Sequence, residues 1–374
     1  MTVSRDQNGD QPRVAVVGAG IVGLCTGYQL LRRGVDVTVY EQGVPGNSQS
    51  GGVSRVLRFA HDDPRLVRAT RHARRLYGQW GAELGVRMVS DDGVLALGPT
   101  VPARLEALQA AGVGARALDS PEVAEVLPFL AGYEGPAMLD TEGGSIDTVA
   151  TISALARALG ERLWPEEVLS LRPIEGSDAV EVRSGGTTEV FDRVVVAAGR
   201  GTPHLARGIG LSLPVRQGVH VRLTFEVRGE ALTRMPALLD SSDAFGETGI
   251  YAAAVPGNTA YGLGLSQSTP VSEDGALAAP DELADLAERA RTYVSRALPG
   301  LDPDPSDVRH CWVTELPWGP DGMAVWQAGG VLVVAGHNLF KHAPNLGGQL
   351  AHAACTGELD PDLLPESRLG APVG

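Results

Sequence analysis

Val14-Ala-Val-Val-Gly18-Ala-Gly20-Ile-Val-Gly23 carries a short apolar strand directly into a Gly-x-Gly-x-x-Gly turn. Each glycine answers a separate need of a dinucleotide fold. Gly18 permits the tight turn, Gly20 lets a pyrophosphate approach the backbone, and Gly23 lets helix pack on strand. The following helix offers free N–H groups and a partial positive charge to phosphates. A second strand, Val35-Asp-Val-Thr-Val-Tyr40, then delivers Glu41, twenty-one residues after Gly20. A carboxylate there suits ribose hydroxyls and repels a 2′-phosphate. The glycine spacing alone is a weak signal. Strand, helix, second strand and acid in register make a dinucleotide site on a Rossmann-like α/β domain.

The rest of the chain is too long for that domain alone. At 374 residues two domains are the default. A net charge of −14 argues against nucleic acid or an anionic membrane as partner. Residues 14–31 are the longest apolar stretch, and strand–turn–helix glycine spacing explains them better than a membrane span or signal peptide. Residues 1–13 look like a loose polar tail. Cys25, Cys311 and Cys355 are far apart and odd in number, so neither a disulfide framework nor a metal site is expected, and a reducing cytoplasm is the simplest home. Of 31 basic residues, Lys341 is the single lysine. Where arginine serves every other positive charge, a lone lysine marks a place needing a flexible point charge rather than a planar guanidinium.

A Gly/Ser/Gln-rich loop over 43–52 leads to Val53-Ser54-Arg55-Val-Leu-Arg58, and 64–84 reads as an arginine-rich amphipathic helix. A helix over 147–160 precedes Glu167-Val168-Leu169, and a hairpin turns at Ser184-Gly-Gly. Asp192-Arg-Val-Val-Val-Ala-Ala-Gly199 is an apolar run that suits a central parallel strand ending at a cofactor-facing turn. Residues 216–227 and 248–265 alternate as antiparallel strands do. A helix over 281–298 stops at Pro299-Gly300, and a last buried strand, Gly330–Gly336, opens into His337-Asn-Leu-Phe-Lys341 and a closing helix. The predicted architecture interleaves a Rossmann-like nucleotide domain (12–84, 141–215 and 305–370) with a sheet-rich α+β substrate domain (85–140 and 216–304).

These segments together resemble the amine-oxidising flavoproteins of the D-amino-acid oxidase superfamily, nearest the group of monomeric sarcosine oxidase and N-methyltryptophan oxidase. The resemblance spans roughly 12–360 and rests on the glycine fingerprint, Ser54-Arg55-Val-Leu-Arg58, the strand ending at Gly199, Cys311, and Gly336…Phe340-Lys341. It implies that the nucleotide is FAD, held by Gly18, Gly20, Gly23, Glu41, Ser54, Arg55, Val168, Gly199, Gly336 and Lys341. It further implies a covalent thioether from Cys311 to the flavin. Arg58 and Lys341 match the pair that binds the substrate carboxylate, and two cations on one carboxylate form charge-assisted hydrogen bonds. Arg55 matches an arginine set against the flavin, where positive charge stabilises the anionic reduced ring.

The implied reaction is oxidation of the C–N bond of a secondary or cyclic amino acid to an imine, with O2 as acceptor and H2O2 as product. The chain also departs from the family pattern. Where relatives carry a lysine that speeds the reaction of reduced flavin with oxygen, this chain has Gly262; a histidine four residues on is Ser266. Two pocket tyrosines are replaced by Ala252 and Val313, which predicts a roomier pocket. His61, His337 and His342 are candidates to compensate for the lysine. The missing lysine leaves two alternatives open: a flavin dehydrogenase of a hydroxy acid or amine with a non-oxygen acceptor, and, more remotely, a non-catalytic flavin-binding subunit.

Overall fold

The computed structural model describes residues 11–272 and 275–372, so most of the expected N-terminal tail lies outside the described residues. Two sheets organise them. The first has six strands in the order Met323–Ala328, Val331–Gly336, Arg193–Val196, Arg13–Val17, Asp36–Tyr40 and Leu163–Trp164. Arg13–Val17 lies parallel to both Arg193–Val196 and Asp36–Tyr40, and Arg193–Val196 is parallel to Val331–Gly336. The central strands are mostly apolar because both faces are covered, one by helices and the other largely by a three-stranded sheet of Val168–Pro173, Val180–Ser184 and Thr187–Phe191. Ile21–Arg32 packs on the sheet and against the closing helix Ala343–Thr356, whose Gly347 leaves no room for a Cβ beside the Cys25 backbone. Cys25, on the first helix, is fully buried in this core.

Helix Pro64–Leu84 shows why the arginine-rich stretch folds as it does. Asp63 caps it by accepting from the Arg65 N–H at 2.9 Å, and Pro64 occupies the first turn, where no N–H is needed. Leu66, Val67, Thr70, Ala73, Tyr77 and Trp80 form one buried stripe, leaving most arginines outside. Gly85, at φ +69°, ends the helix in the left-handed region. Tyr77 donates to the Phe340 carbonyl at 2.6 Å, which ties this helix to the turn carrying Lys341.

The second sheet has nine strands, mostly antiparallel, among them Val94–Leu97, Arg216–Glu226, Ile250–Ala254 and Ala260–Leu265. Helix Pro280–Ala297 covers one face through Leu283, Leu286, Ala290, Tyr293 and Val294. Along Arg216–Glu226 the period of two sends Val219, Val221, Leu223 and Phe225 into that core. His220 and Arg222 consequently face the other way. Strand Asp307–Glu315, which carries Cys311, pairs along its length with Arg216–Glu226 and so belongs to this larger sheet. The segment expected to begin the last nucleotide-domain stretch at 305 therefore continues the second sheet as far as Glu315. A two-stranded ladder, Ser54–Leu57 with Gly144–Asp147, leads the chain from one unit to the other and carries Arg55.

Candidate active site

A cavity of about 1370 Å³ runs between the two sheets. Gly18, Gly20, Glu41, Val168 and Gly199 line it on the nucleotide side, with Arg55, Arg58, Cys311, Gly336 and Lys341 further along. The fingerprint behaves as its chemistry requires. Gly18 has φ +100°, and a Cβ there would press on the Ala197 carbonyl oxygen at 2.6 Å. A Cβ on Gly23 would collide with the Gly18 carbonyl oxygen, so this glycine packs the helix against the turn and does not itself line the cavity. Gly20 differs: a Cβ there would meet only Ser50 Oγ, at 3.3 Å. Its missing side chain leaves open the cavity space above it, which is what close approach of a pyrophosphate to the backbone would require. Glu41 closes the turn, accepting from the Ala19 N–H at 2.9 Å and the Gly43 N–H at 3.0 Å, with lone pairs left for ribose hydroxyls.

Arg58 and Lys341 come together in the structure, and between them they hold a carboxylate from the chain itself. Asp321 Oδ2 accepts from Arg58 Nη2 at 2.6 Å, and Oδ1 accepts from Lys341 Nζ at 3.1 Å and from Asn338 at 3.0 Å. Arg58 also donates to the Ala60 carbonyl, and Lys341 reaches the Asn338 carbonyl at 3.4 Å. Burial pushes the Asp321 carboxyl up, but Arg58 and Lys341 outweigh it and hold the group well below the usual carboxylate range. Burial lowers the Lys341 ammonium to about 8, with Asp321 limiting the fall. Sequence reading passed over Asp321 because Pro320-Asp-Gly322 between two strands looks like ordinary turn chemistry.

The three histidines do not add charge here. His61 lies 3.1 Å from Asp321, yet burial and then Arg58 lower it to about 3. Burial and Lys341 lower His337 to about 4, and burial holds the fully enclosed His342 well below its ordinary value. All three are neutral at physiological pH. Arg58, Lys341 and Asp321 thus sum to one positive charge, enough to attract one further carboxylate.

Beside Gly262, where the resemblance implies a lysine in relatives, lies a cation from the neighbouring strand. The guanidinium of Arg222 lies across Gly262, where a Cβ would come within 2.7 Å of both Nε and Nη2. It donates to the Gly262 carbonyl at 3.0 Å and to Ser54 Oγ at 3.2 Å. Ser54 is fully buried and in turn donates to the Ala253 carbonyl at 3.1 Å. Ser54 was expected to meet the cofactor directly; instead its hydroxyl is taken up by protein partners and it does not line the cavity. Arg55 curls over its own loop, donating to the Ser54 and Gly51 carbonyls, with its guanidinium in the cavity wall.

The roomier-pocket expectation needs correction. Neither Ala252 nor Val313 lines the cavity; Tyr251 and Trp312 do. Strand alternation puts residue 252 on the face opposite 251, into the helix-covered core. Gly264, paired with Tyr251 across the ladder, gives that ring its room, since a Cβ there would lie 2.7 Å from the tyrosine hydroxyl. Aromatic walls are therefore present, from residues one position away.

A glycine turn shaped for a dinucleotide on one sheet, with Arg58 and Lys341 further along the cavity and Arg222 facing it from the second sheet, suits electron exchange with a small molecule held between them. The class is that of dinucleotide-dependent oxidoreductases. Residues 13–353 match the DAO family, described as FAD dependent oxidoreductase, and the chain belongs to that family. It is 26% identical to glycine oxidase of Geobacillus kaustophilus (strain HTA426) over 349 residues, covering 87% of each chain. It is 25% identical to monomeric sarcosine oxidase of Bacillus sp. (strain NS-129) over 384 residues, covering 94% of each. Its fold is similar to that of NikD, an unusual amino acid oxidase essential for nikkomycin biosynthesis, with TM-score 0.83, 22% identity, and coverage of 97% of this chain and 98% of that one. The chain is thus an FAD-dependent oxidoreductase of the amino-acid-oxidase type, with the mixed α/β fold its sequence predicted. No described helix is long and apolar enough to cross a membrane.

Proposed function

We propose that this enzyme oxidises the C–N bond of a small secondary or cyclic amino acid to the imine. The observation that carries the reading is the convergence of Arg58 and Lys341 on one carboxylate position inside the cofactor cavity. Gly18, Gly20 and Gly23 shape the pyrophosphate turn, Glu41 meets the adenosine ribose, and Val168, Gly199 and Gly336 shape the surrounding wall. Cys311 is the attachment point for a thioether to the flavin. Bound FAD supplies the two-electron acceptor for the substrate hydride, and O2 accepts those electrons in turn, giving H2O2.

The protein's own part is binding and orientation. Lys341 and Arg58 keep N–H donors beyond those given to Asp321, and the remaining positive charge draws in the substrate carboxylate. Asp321 holds the two cations together when no substrate is bound, so their convergence need not be assembled at each turnover. With the carboxylate fixed, the C–H bond next to nitrogen is aimed at the cofactor. As hydride leaves carbon, the nitrogen lone pair forms the C=N bond and the N–H proton is lost to solvent. His337, neutral at physiological pH, adds no charge of its own to this end of the cavity.

Anaerobic mixing of the holoenzyme with a panel of secondary and cyclic amino acids tests the reading. Flavin bleaching is expected with the acids and not with the matching amines that lack the carboxylate. Equal bleaching by both sets would refute the clamp.

A further inference from the structure

Arg222 is a buried guanidinium on the second sheet. Its residue is 6% exposed, and among the described residues no carboxylate pairs with it. Its strong electrostatic neighbours are other cations, Arg55 and Arg309, together with Tyr251 and Cys311. Burial and then Arg55 lower it only to about 10, so it stays charged at neutral pH. A buried charge without a counter-ion is costly, and a second guanidinium beside it adds repulsion. The fold nevertheless builds the arrangement with care. Gly262 clears the space, the Gly262 carbonyl and Ser54 Oγ aim the fork, and Arg55 is turned towards the same cavity by its own loop carbonyls.

Two cations held in place against their mutual repulsion need an anion that arrives with the ligand. The substrate carboxylate already has its own pair at Arg58 and Lys341. The pyrophosphate has the helix N-terminus beyond Gly20. What remains is the negative charge that appears on the flavin when it accepts a hydride. Cys311 and Arg222 project from the same face of one antiparallel strand pair, since His220 pairs with Cys311 and Arg222 with Arg309. A ring anchored at Cys311 shares its cavity wall with both guanidiniums.

We infer that Arg222, placed by Gly262 and Ser54, acts with Arg55 as the counter-charge to the anionic reduced flavin. It makes the cofactor a stronger oxidant without touching the substrate. The inference rests on the FAD reading and extends it to a residue from the second sheet. Preorganised charge aimed at where charge develops costs no rearrangement during the reaction.

The test compares wild type, Arg222→Gln and Arg222→Lys as holoenzymes, measuring the flavin midpoint potential and the affinity for acetate, an unreactive carboxylate. Arg222→Gln is expected to lower the stability of reduced relative to oxidised flavin about tenfold or more, a fall of about 30 mV for a two-electron couple. Arg222→Lys is expected to restore most of that loss, and acetate affinity to stay within about twofold. An unchanged potential in yellow Arg222→Gln protein overturns the inference while leaving the FAD reading intact. Lost acetate affinity at constant potential overturns it too, by making Arg222 a substrate contact. A wild-type protein that takes up no FAD overturns both. Should Arg222→Gln not fold, Gly262→Ala displaces the guanidinium without removing it. The same direction of shift is then expected, and no shift refutes the inference.

Discussion

Asp321 and Lys341, twenty residues apart in sequence, meet at 3.1 Å inside the cofactor cavity. The same carboxylate accepts from Arg58, which is 263 residues away from it in the chain. An internal acid therefore occupies the geometry in which the two cations would grip a substrate. It lowers the net charge of the clamp from two to one and keeps the cations from drifting apart.

Removing that acid has opposite effects on binding and on alignment. Asp321→Asn is expected to bind carboxylate ligands at least as tightly as wild type, because a competing negative charge is gone. Turnover should nevertheless fall roughly tenfold or more, since the cations lose their common anchor. Steady-state kinetics beside ligand titration separates the two effects. A rise in KM with unchanged kcat would show that Asp321 aids binding rather than alignment.

Arg58→Ala removes one charge-assisted hydrogen bond to the substrate carboxylate, about 1.5–3 kcal/mol. Carboxylate affinity should weaken roughly ten- to a hundredfold, with the flavin spectrum of the free enzyme little altered. Titration of the flavin absorbance with acetate checks both parts at once.

Lys341 gives the site a dependence on alkaline pH. Its ammonium, lowered by burial to about 8, is a cation below that pH and neutral above it. Carboxylate affinity of the free enzyme should therefore fall as pH rises through about 8. Lys341→Arg should abolish the break, because a guanidinium stays charged there. In Asp321→Asn the break should move lower, since the neighbouring charge that limits the fall has been removed.

The thioether proposed at Cys311 sets a test of how the flavin is held. Denaturing wild-type protein in acid should leave the yellow colour in the pellet, whereas Cys311→Ser should release it to the supernatant. Colour released from wild type would leave Cys311 a buried cysteine in the cavity wall.

The fingerprint glycines should separate by function. Gly23→Ala drives a Cβ into the Gly18 carbonyl and should cost about 1–3 kcal/mol of stability or more. Gly20→Ala meets only Ser50 Oγ, so the fold should lose less than about 1 kcal/mol while FAD affinity drops. Thermal melts of the apo protein and FAD titration, both in a Cys311→Ser background, distinguish the two.

Local chemistry made much of the fold legible. The strand–turn–helix around Gly18, Gly20 and Gly23, the capped helix after Asp63 and the apolar strand before Gly199 depend on neighbours a few residues away, so spacing and side-chain type determine them. Arg58 and Lys341 could be named because the family resemblance and the single lysine pointed to them. Asp321 and Arg222 were not legible in this way. One sits in a turn like many others, and the other is one polar residue in an alternating strand. Their roles follow from which segments the tertiary structure brings together: Asp321 opposite two distant cations, Arg222 across a glycine on the next strand. The register between Arg216–Glu226 and Ala260–Leu265 opens the space at Gly262, and the period of two on Ile250–Ala254 puts Tyr251 rather than Ala252 in the wall. The sequence by itself determined a dinucleotide fold and pointed to Arg58 and Lys341. Only the tertiary structure decided how the buried charges balance, because electrostatic pairing depends on distance in space and not on separation along the chain.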